Sequence, residues 1–352
     1  MDREDIENKL EGFEFSDEDS LDLEREIQKT FMMVNHKSIF MPQPLKKGDK
    51  IAFISPASSV KEEYVKDAMA RFRERGYEPV LMQYALGHEK GSFSAEKSSR
   101  LMDLLNALED SDIRAIFCTR GGYGCVQLLA NCSYGLVARN PKWLIGFSDV
   151  SALLAMWYVS DIASIHGPMA KHLATMPDDD PCTNALFNIL ENGGRFDYLL
   201  PSSPYNRSGK ATGVLRGGNM AVLNGLAATP YDILDIQGGD QDVILFFEDI
   251  SEPIYAIERM LWRLNLSGTL LKVKALIFGK FTEYQADKNF HSMEEMIDFW
   301  LNKMVMFPIP IVFDFPIGHV DLNYPLTVGA YVELEVTSET VSIRTIPDSK
   351  KR

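Results

Sequence analysis

Residues 143–154 read Trp-Leu-Ile-Gly-Phe-Ser-Asp-Val-Ser-Ala-Leu-Leu. One apolar run ends in Gly146-Phe147-Ser148, and a second begins at once. The first run is short and reads as a buried strand; the second continues through Trp157 and reads as a helix. Gly146, two residues before the serine, makes room for a sharp turn between them. A serine on such a turn stands out of the sheet, at the positive end of the following helix. The next residue's N–H can then help stabilise an oxyanion. The pattern departs from the G-x-S-x-G elbow at its fifth position, Val150. On this fragment alone, the reading in which Ser148 or Asp149 merely caps the helix is the simpler one.

The same alternation runs upstream. Ile51-Ala-Phe-Ile reads as a strand, 61–75 as a helix stopped by Gly76, and Val80-Leu-Met as a strand. Residues 95–108 read as a helix, 113–118 as a strand, and Cys125 to Ala130 as a further helix. Strands alternating with helices predict an α/β fold built on a parallel sheet. Ligands on such sheets bind beyond the carboxyl ends of the strands. Both Arg120-Gly-Gly-Tyr-Gly and Gly146–Ser148 fall at such ends.

Downstream, residues 176–208 carry a short helical start and much loop chemistry, and are read as a linker. Beyond it lie a helix to Ala227, a buried strand from Asp242, a helix from Tyr255 to Leu264, and strands at 271–278 and 309–313. The end, 331–336 followed by 340–344, alternates like a hairpin with one face to solvent. The expected organisation is an acidic extension (1–44), an N-terminal parallel α/β domain (45–175), the linker (176–208) and a C-terminal mixed α/β domain (209–352).

The chain has 352 residues and a net charge of −14. Residues 1–28 hold twelve acids and three bases, so −9 of that charge sits there and −5 in the rest. Leu21, Leu23, Ile27 and Phe31 fit one amphipathic helix in this extension, and Met33 and Met41 are alternative starts. With no basic stripe, nucleic acid is not the expected partner. No apolar run approaches a membrane span. The acidic start and four cysteines without metal-like spacing point to a cytoplasmic protein.

A serine nucleophile needs a base. Of six histidines, His36 lies in the extension, and His88 and His291 in polar segments; His172 follows His166 closely. His166, after the nucleophile helix, and His319, after a strand and Gly318, are nearly level on local grounds. The orienting carboxylate is sought in Phe246-Phe-Glu-Asp-Ile-Ser-Glu-Pro. Glu248 ends an apolar strand, a costly place for an unpaired carboxylate. Asp249 and Glu252 read more readily as caps of the next helix. The glycines after Arg120 suit an oxyanion donor better than a phosphate cradle, because the P-loop and dinucleotide patterns are absent.

Taken in order, these segments resemble the LD-carboxypeptidase family of serine peptidases, which includes the microcin immunity peptidases. The matching residues are Ser55-Pro56, Arg120-Gly-Gly-Tyr-Gly, Gly146-Phe-Ser-Asp, His166-Gly-Pro-Met, Gly217-Gly-Asn, Leu245-Phe-Phe-Glu-Asp-Ile, Ile257-Glu-Arg-Met-Leu, Ile277-Phe-Gly, Gly318-His and Pro325-Leu. The resemblance implies a Ser148–Glu248–His319 triad and an oxyanion hole from the backbone N–H groups of Gly122 and Asp149. It implies a site between two domains, a homodimer, and no metal or cofactor. The implied reaction removes terminal D-alanine from murein tetrapeptides. Arg120 and, more weakly, Asn219 are candidates for binding the substrate. Two other readings stand beside it: a peptidase cleaving a peptidyl-nucleotide amide, and a non-catalytic murein-peptide-binding protein.

Overall fold

The computed structural model describes residues 39–87, 92–236, 242–305 and 307–347. The predicted helix at 21–31, with His36 and His88, lies outside them. The described residues build two sheets. The first has the order β11-β5-β4-β3-β1-β2. Its strands are β1 (Lys50–Ile54), β2 (Glu78–Leu81), β3 (Ile113–Cys118), β4 (Trp143–Gly146), β5 (Ser164–His166) and β11 (Leu326–Val328). The first five are parallel, and β11 pairs antiparallel to β5. The central strands are continuous apolar runs because both of their faces are covered: β4 is buried throughout, and β3 at all but Arg114.

Chain order reverses between β1 and β3, so their loops part at the carboxyl edge and leave a crevice. The loop after β1 carries Ser55, whose Oγ lies 2.6 Å from Thr119 Oγ1 after β3. The Gly-rich turn sits at this switch point.

The second sheet is mixed, with the order β10-β9-β8-β7-β12-β13-β6. Parallel β10 (Ile311–Val312), β9 (Val273–Thr282), β8 (Val243–Ile250) and β7 (Gly209–Asn219) are followed by antiparallel β12 (Tyr331–Val336), β13 (Thr340–Thr345) and β6 (Asp197–Pro201). The β12–β13 hairpin alternates buried and open positions, as its sequence predicts.

The stretch 176–208 carries structure of its own. Helix Pro181–Glu191 lays Phe187 against Phe72 and Tyr77 of the first half, and β6 forms an edge of the second sheet. Helix Ser151–Val159 packs on β4 and β5 of one sheet and on β7 of the other. Its residues from Ser151 to Trp157 are all buried, which explains an apolar sequence with no polar stripe. Among the described residues no helix is long and apolar enough to cross a membrane.

Candidate active site

Ser148 follows β4 by two residues and begins a 3-10 turn, Ser148–Val150, that leads into helix Ser151–Val159. Its φ is +63°, a left-handed conformation uncommon for a residue with a side chain. A methyl group on Gly146 would lie 2.9 Å from Val150 Cγ1, so the bare glycine lets Val150 fold back onto the strand end. Val150, the departure from the elbow pattern, thus fills that space. Neither Ser148 nor Asp149 supplies a side-chain cap to the helix.

Asp149 instead turns to the Gly-rich loop. Its Oδ2 accepts the N–H of Cys125 at 2.8 Å. The carbonyl of that same peptide, from Gly124, accepts Nη1 of Arg100 at 3.1 Å. Arg100 is only 2% exposed and also donates to the carbonyls of Pro56 (2.6 Å) and Ala95 (3.0 Å). One peptide unit is therefore held between the Arg100 guanidinium on its oxygen and the Asp149 carboxyl on its N–H. Burial raises the Asp149 carboxyl, against the Cys125 and Arg100 interactions that lower it. Sequence reading missed Arg100. Its signal was the spacing: Arg100 falls on the buried stripe of helix Lys97–Glu109 with Leu104, Ala107 and Leu108.

The turn itself lies against the serine. A methyl group on Gly121 would come within 3.1 Å of Ser148 Oγ and 3.2 Å of the Asp149 nitrogen, so the open face of Gly121 borders both. Gly122 has φ +101° and abuts Ser58. Arg120 is exposed, with Nη1 on the Ser59 carbonyl.

The second sheet brings the other groups. Glu248 lies on β8 where its register against β9 shifts, and it is fully buried. His319 follows Gly318, whose φ of +116° and lack of a side chain are both required. A methyl group there would lie 3.0 Å from Glu248 Cβ and 3.1 Å from Oε2. Asn323 Oδ1 accepts the Gly318 N–H at 3.0 Å and closes the loop. His319 Nδ1 then stands 2.9 Å from Glu248 Oε2, and its Nε2 stands 3.0 Å from Ser148 Oγ. Burial works against ionisation of Glu248, but the imidazoles of His166 and His319 outweigh it and hold the carboxyl below its ordinary range.

The other candidates go elsewhere. His166 ends β5, fully buried, with its ring against Phe147 and Phe246. Its Nε2 is 3.7 Å from Glu248 Oε1, and no hydrogen bond joins it to Ser148. His172 pairs with Asp180, which caps helix Pro181–Glu191. Asp249 does not cap the helix after β8, as its position suggested; that helix, Ile254–Leu266, starts at Pro253 without a side-chain cap. Alternation along β8 sends Asp249 to the opposite face. There it accepts from Ala221 N (2.7 Å), Ile250 N (2.8 Å) and Asn219 Nδ2 (3.1 Å). Asn219, 4% exposed, caps helix Met220–Asn224 through Val222 N.

A polarised serine, an imidazole and a buried carboxylate in one hydrogen-bonded chain can carry nucleophilic acyl transfer. Sequence models of the LD-carboxypeptidase N-terminal and C-terminal domains match residues 51–167 and 212–334. The chain is 31% identical over 297 residues to the murein tetrapeptide carboxypeptidase of Pseudomonas aeruginosa, covering 81% of this chain and 93% of that one. It is 25% identical over 335 residues to the microcin C7 self-immunity protein MccF of Escherichia coli, covering 85% and 94%. The crystal structure of muramoyltetrapeptide carboxypeptidase from Oxalobacter formigenes superposes with a TM-score of 0.74 at 28% identity, covering 84% of this chain and 98% of that one. The chain belongs to the LD-carboxypeptidase family.

Proposed function

We propose that this chain is a serine carboxypeptidase that releases the terminal D-alanine of murein tetrapeptides, with Ser148 as nucleophile, His319 as base and Glu248 as the orienting acid. The observation that carries the reading is the chain from Ser148 Oγ through His319 to Glu248, with links of 3.0 and 2.9 Å. These residues come from three separate segments, so helix capping alone does not account for their meeting. The substrate class follows the Pseudomonas relative.

In this mechanism Ser148 Oγ attacks the carbonyl carbon of the peptide bond to D-alanine, and His319 Nε2 takes the hydroxyl proton. The N–H groups of Gly122 and Asp149 receive the negative oxygen; one such donor is worth about 3 kcal/mol of barrier. The C–N bond breaks, and His319 returns its proton to the departing amine. Water, deprotonated by His319, then cleaves the ester and frees Ser148. On its chemistry, the Arg120 guanidinium is the candidate to meet the carboxylate of the leaving residue.

The test is D-alanine release from tetrapeptide by the wild type and by Ser148→Ala. A loss of at least about a thousandfold is expected. Full activity in Ser148→Ala would remove serine as nucleophile. Hydrolysis of a peptidyl-nucleotide amide alone would move the chain to the immunity-type reading. Tetrapeptide binding without turnover would make it a binding protein.

A further inference from the structure

We propose that His166 is a positioning residue for the triad carboxylate: with its proton on Nε2 it donates to Glu248 Oε1, leaving Oε2 aimed at His319. The proposal rests on the triad reading above.

The argument starts from two unsatisfied groups. Glu248 is fully buried; Oε2 is bonded to His319, while Oε1 has no hydrogen-bond partner. His166 is equally buried, and neither of its ring nitrogens has a partner. Buried polar atoms are rarely left unpaired, and a bare carboxylate oxygen is among the costliest. These two orphans face each other, with His166 Nε2 3.7 Å from Glu248 Oε1. Closing to hydrogen-bond length needs a movement of about 0.8 Å, within reach of small side-chain rotations.

The surroundings favour that pairing. The rings of Phe147 and Phe246 meet the imidazole edge-on, with centroids 5.7 and 5.3 Å away, and offer it no hydrogen-bond partner. The titratable groups acting on Glu248 are His319, from the loop after Gly318, and His166, from β5. Asp249 adjoins it on β8 but faces Asn219 and Ala221. A carboxylate held at one oxygen can swing about its last torsion; a donor on the second oxygen fixes its plane, and with it the imidazole of His319.

The experiment compares wild type, His166→Gln, which keeps an N–H donor, with His166→Phe and His166→Met, which do not. Two apolar variants are made so that one folded protein is in hand, as judged by thermal melting. The first readout needs no turnover: the low-field proton resonance of the His319–Glu248 hydrogen bond. It should shift or broaden in the apolar variants and return towards its wild-type position in Gln. The second is the pH profile of D-alanine release. Without a donor on Oε1, Glu248 accepts more strongly and the pair holds its proton more tightly. The acid limb of kcat then moves to higher pH, and kcat falls about 10- to 100-fold with KM within about twofold. Gln should recover at least half of that loss on a logarithmic scale. An unaltered resonance and acid limb in a folded Phe or Met variant would overturn the proposal, as would Gln behaving no better than they do. Should the triad reading itself fail, the resonance would still report whether His166 bonds Glu248.

Discussion

On the Ser148 side of the site, the Gly124–Cys125 peptide is gripped at its oxygen by Arg100 and at its N–H by Asp149. On the His319 side, Glu248 holds His319 through one oxygen and has its other oxygen 3.7 Å from His166. The contrast follows from what each side must do. Ser148 sits in a left-handed conformation that costs about 1–3 kcal/mol and persists only where its neighbours over-determine it. The buried hydrogen bonds that Arg100 and Asp149, next to Ser148, make to one loop peptide are suited to supply that constraint. In the proposed mechanism His319 gains and loses a proton in each cycle, so its partners have to tolerate both charge states. The first side is thus braced for shape and the second for proton affinity. Damage to the first should appear mainly in stability, and damage to the second mainly in rate.

Glu248→Gln probes the second side hardest. Glutamine keeps the volume, but its amide can present N–H to His319 Nδ1 and stabilise the wrong tautomer. A fall in kcat of about a hundredfold to ten-thousandfold is expected, with the melting temperature within a few degrees of wild type. Measured D-alanine release and thermal melts decide it. A variant that kept its rate but lost its fold would reverse the comparison.

Arg100→Met probes the first side. Methionine fills the helix position but abandons the buried carbonyls of Pro56, Ala95 and Gly124. Each lost charged hydrogen bond is worth about 1–3 kcal/mol, so a loss of about 3 kcal/mol in urea unfolding is expected. The rate of the protein that remains folded should fall only about tenfold, from loosening of the turn proposed to hold the oxyanion. A rate loss as large as that of Glu248→Gln at unchanged stability would mean that Arg100 acts on the chemistry directly.

The pH dependence of stability sharpens the same contrast. Asp249, adjacent to Glu248, is pushed up to about 7 by burial and then by the charge of Glu248, against its N–H donors. A carboxyl that binds its proton more tightly when folded contributes stability below its unfolded pKa, about 3.9, and loses it as pH rises through the folded value. Glu248 has the opposite sign: its contribution is present at neutral pH and is lost as pH falls through its lowered value. The fold should therefore weaken between about pH 4 and 7 in urea titrations, by way of about one proton, and change little above that. In Glu248→Gln the window should end at lower pH and the total loss should be smaller, because one cause of the Asp249 shift is gone. An unchanged window would assign the shift to burial alone.

Much of this site was legible because buried parallel strands are continuous apolar runs, and chemistry gathers where they end. Ile113–Cys118 and Trp143–Gly146 announce themselves in that way. β7 does not: Gly209, Gly213, Gly217 and Gly218 leave it without a continuous apolar run, and it is a strand because β8 and β12 pair along both of its edges. β11 returns from the C-terminal half to pair with β5, a contact with no local signature. That crossing is why a boundary near residue 208 does not assign each strand to its sheet. The near tie between His166 and His319 had a physical basis. Both imidazoles face Glu248, one at each oxygen, and only three-dimensional geometry tells which one also reaches Ser148.

Asn219 carries the smallest effect and tests where the braced region ends. Its side chain caps helix Met220–Asn224 and bonds Asp249, while its own N–H donates to Ser151 Oγ, on the nucleophile helix, at 2.9 Å. That backbone bond survives mutation, so Asn219→Ala removes only the cap and the amide contact. A loss of about 1 kcal/mol in urea unfolding is expected, with kcat and KM each within about twofold. The resemblance made Asn219 a substrate-binding candidate, and the two roles separate cleanly here. A tenfold rise in KM without loss of stability would return it to the substrate pocket and extend the region that acts on rate across β7. A pure stability loss would leave β7 as a support, with the working groups of the second sheet confined to Glu248 and the loop of His319.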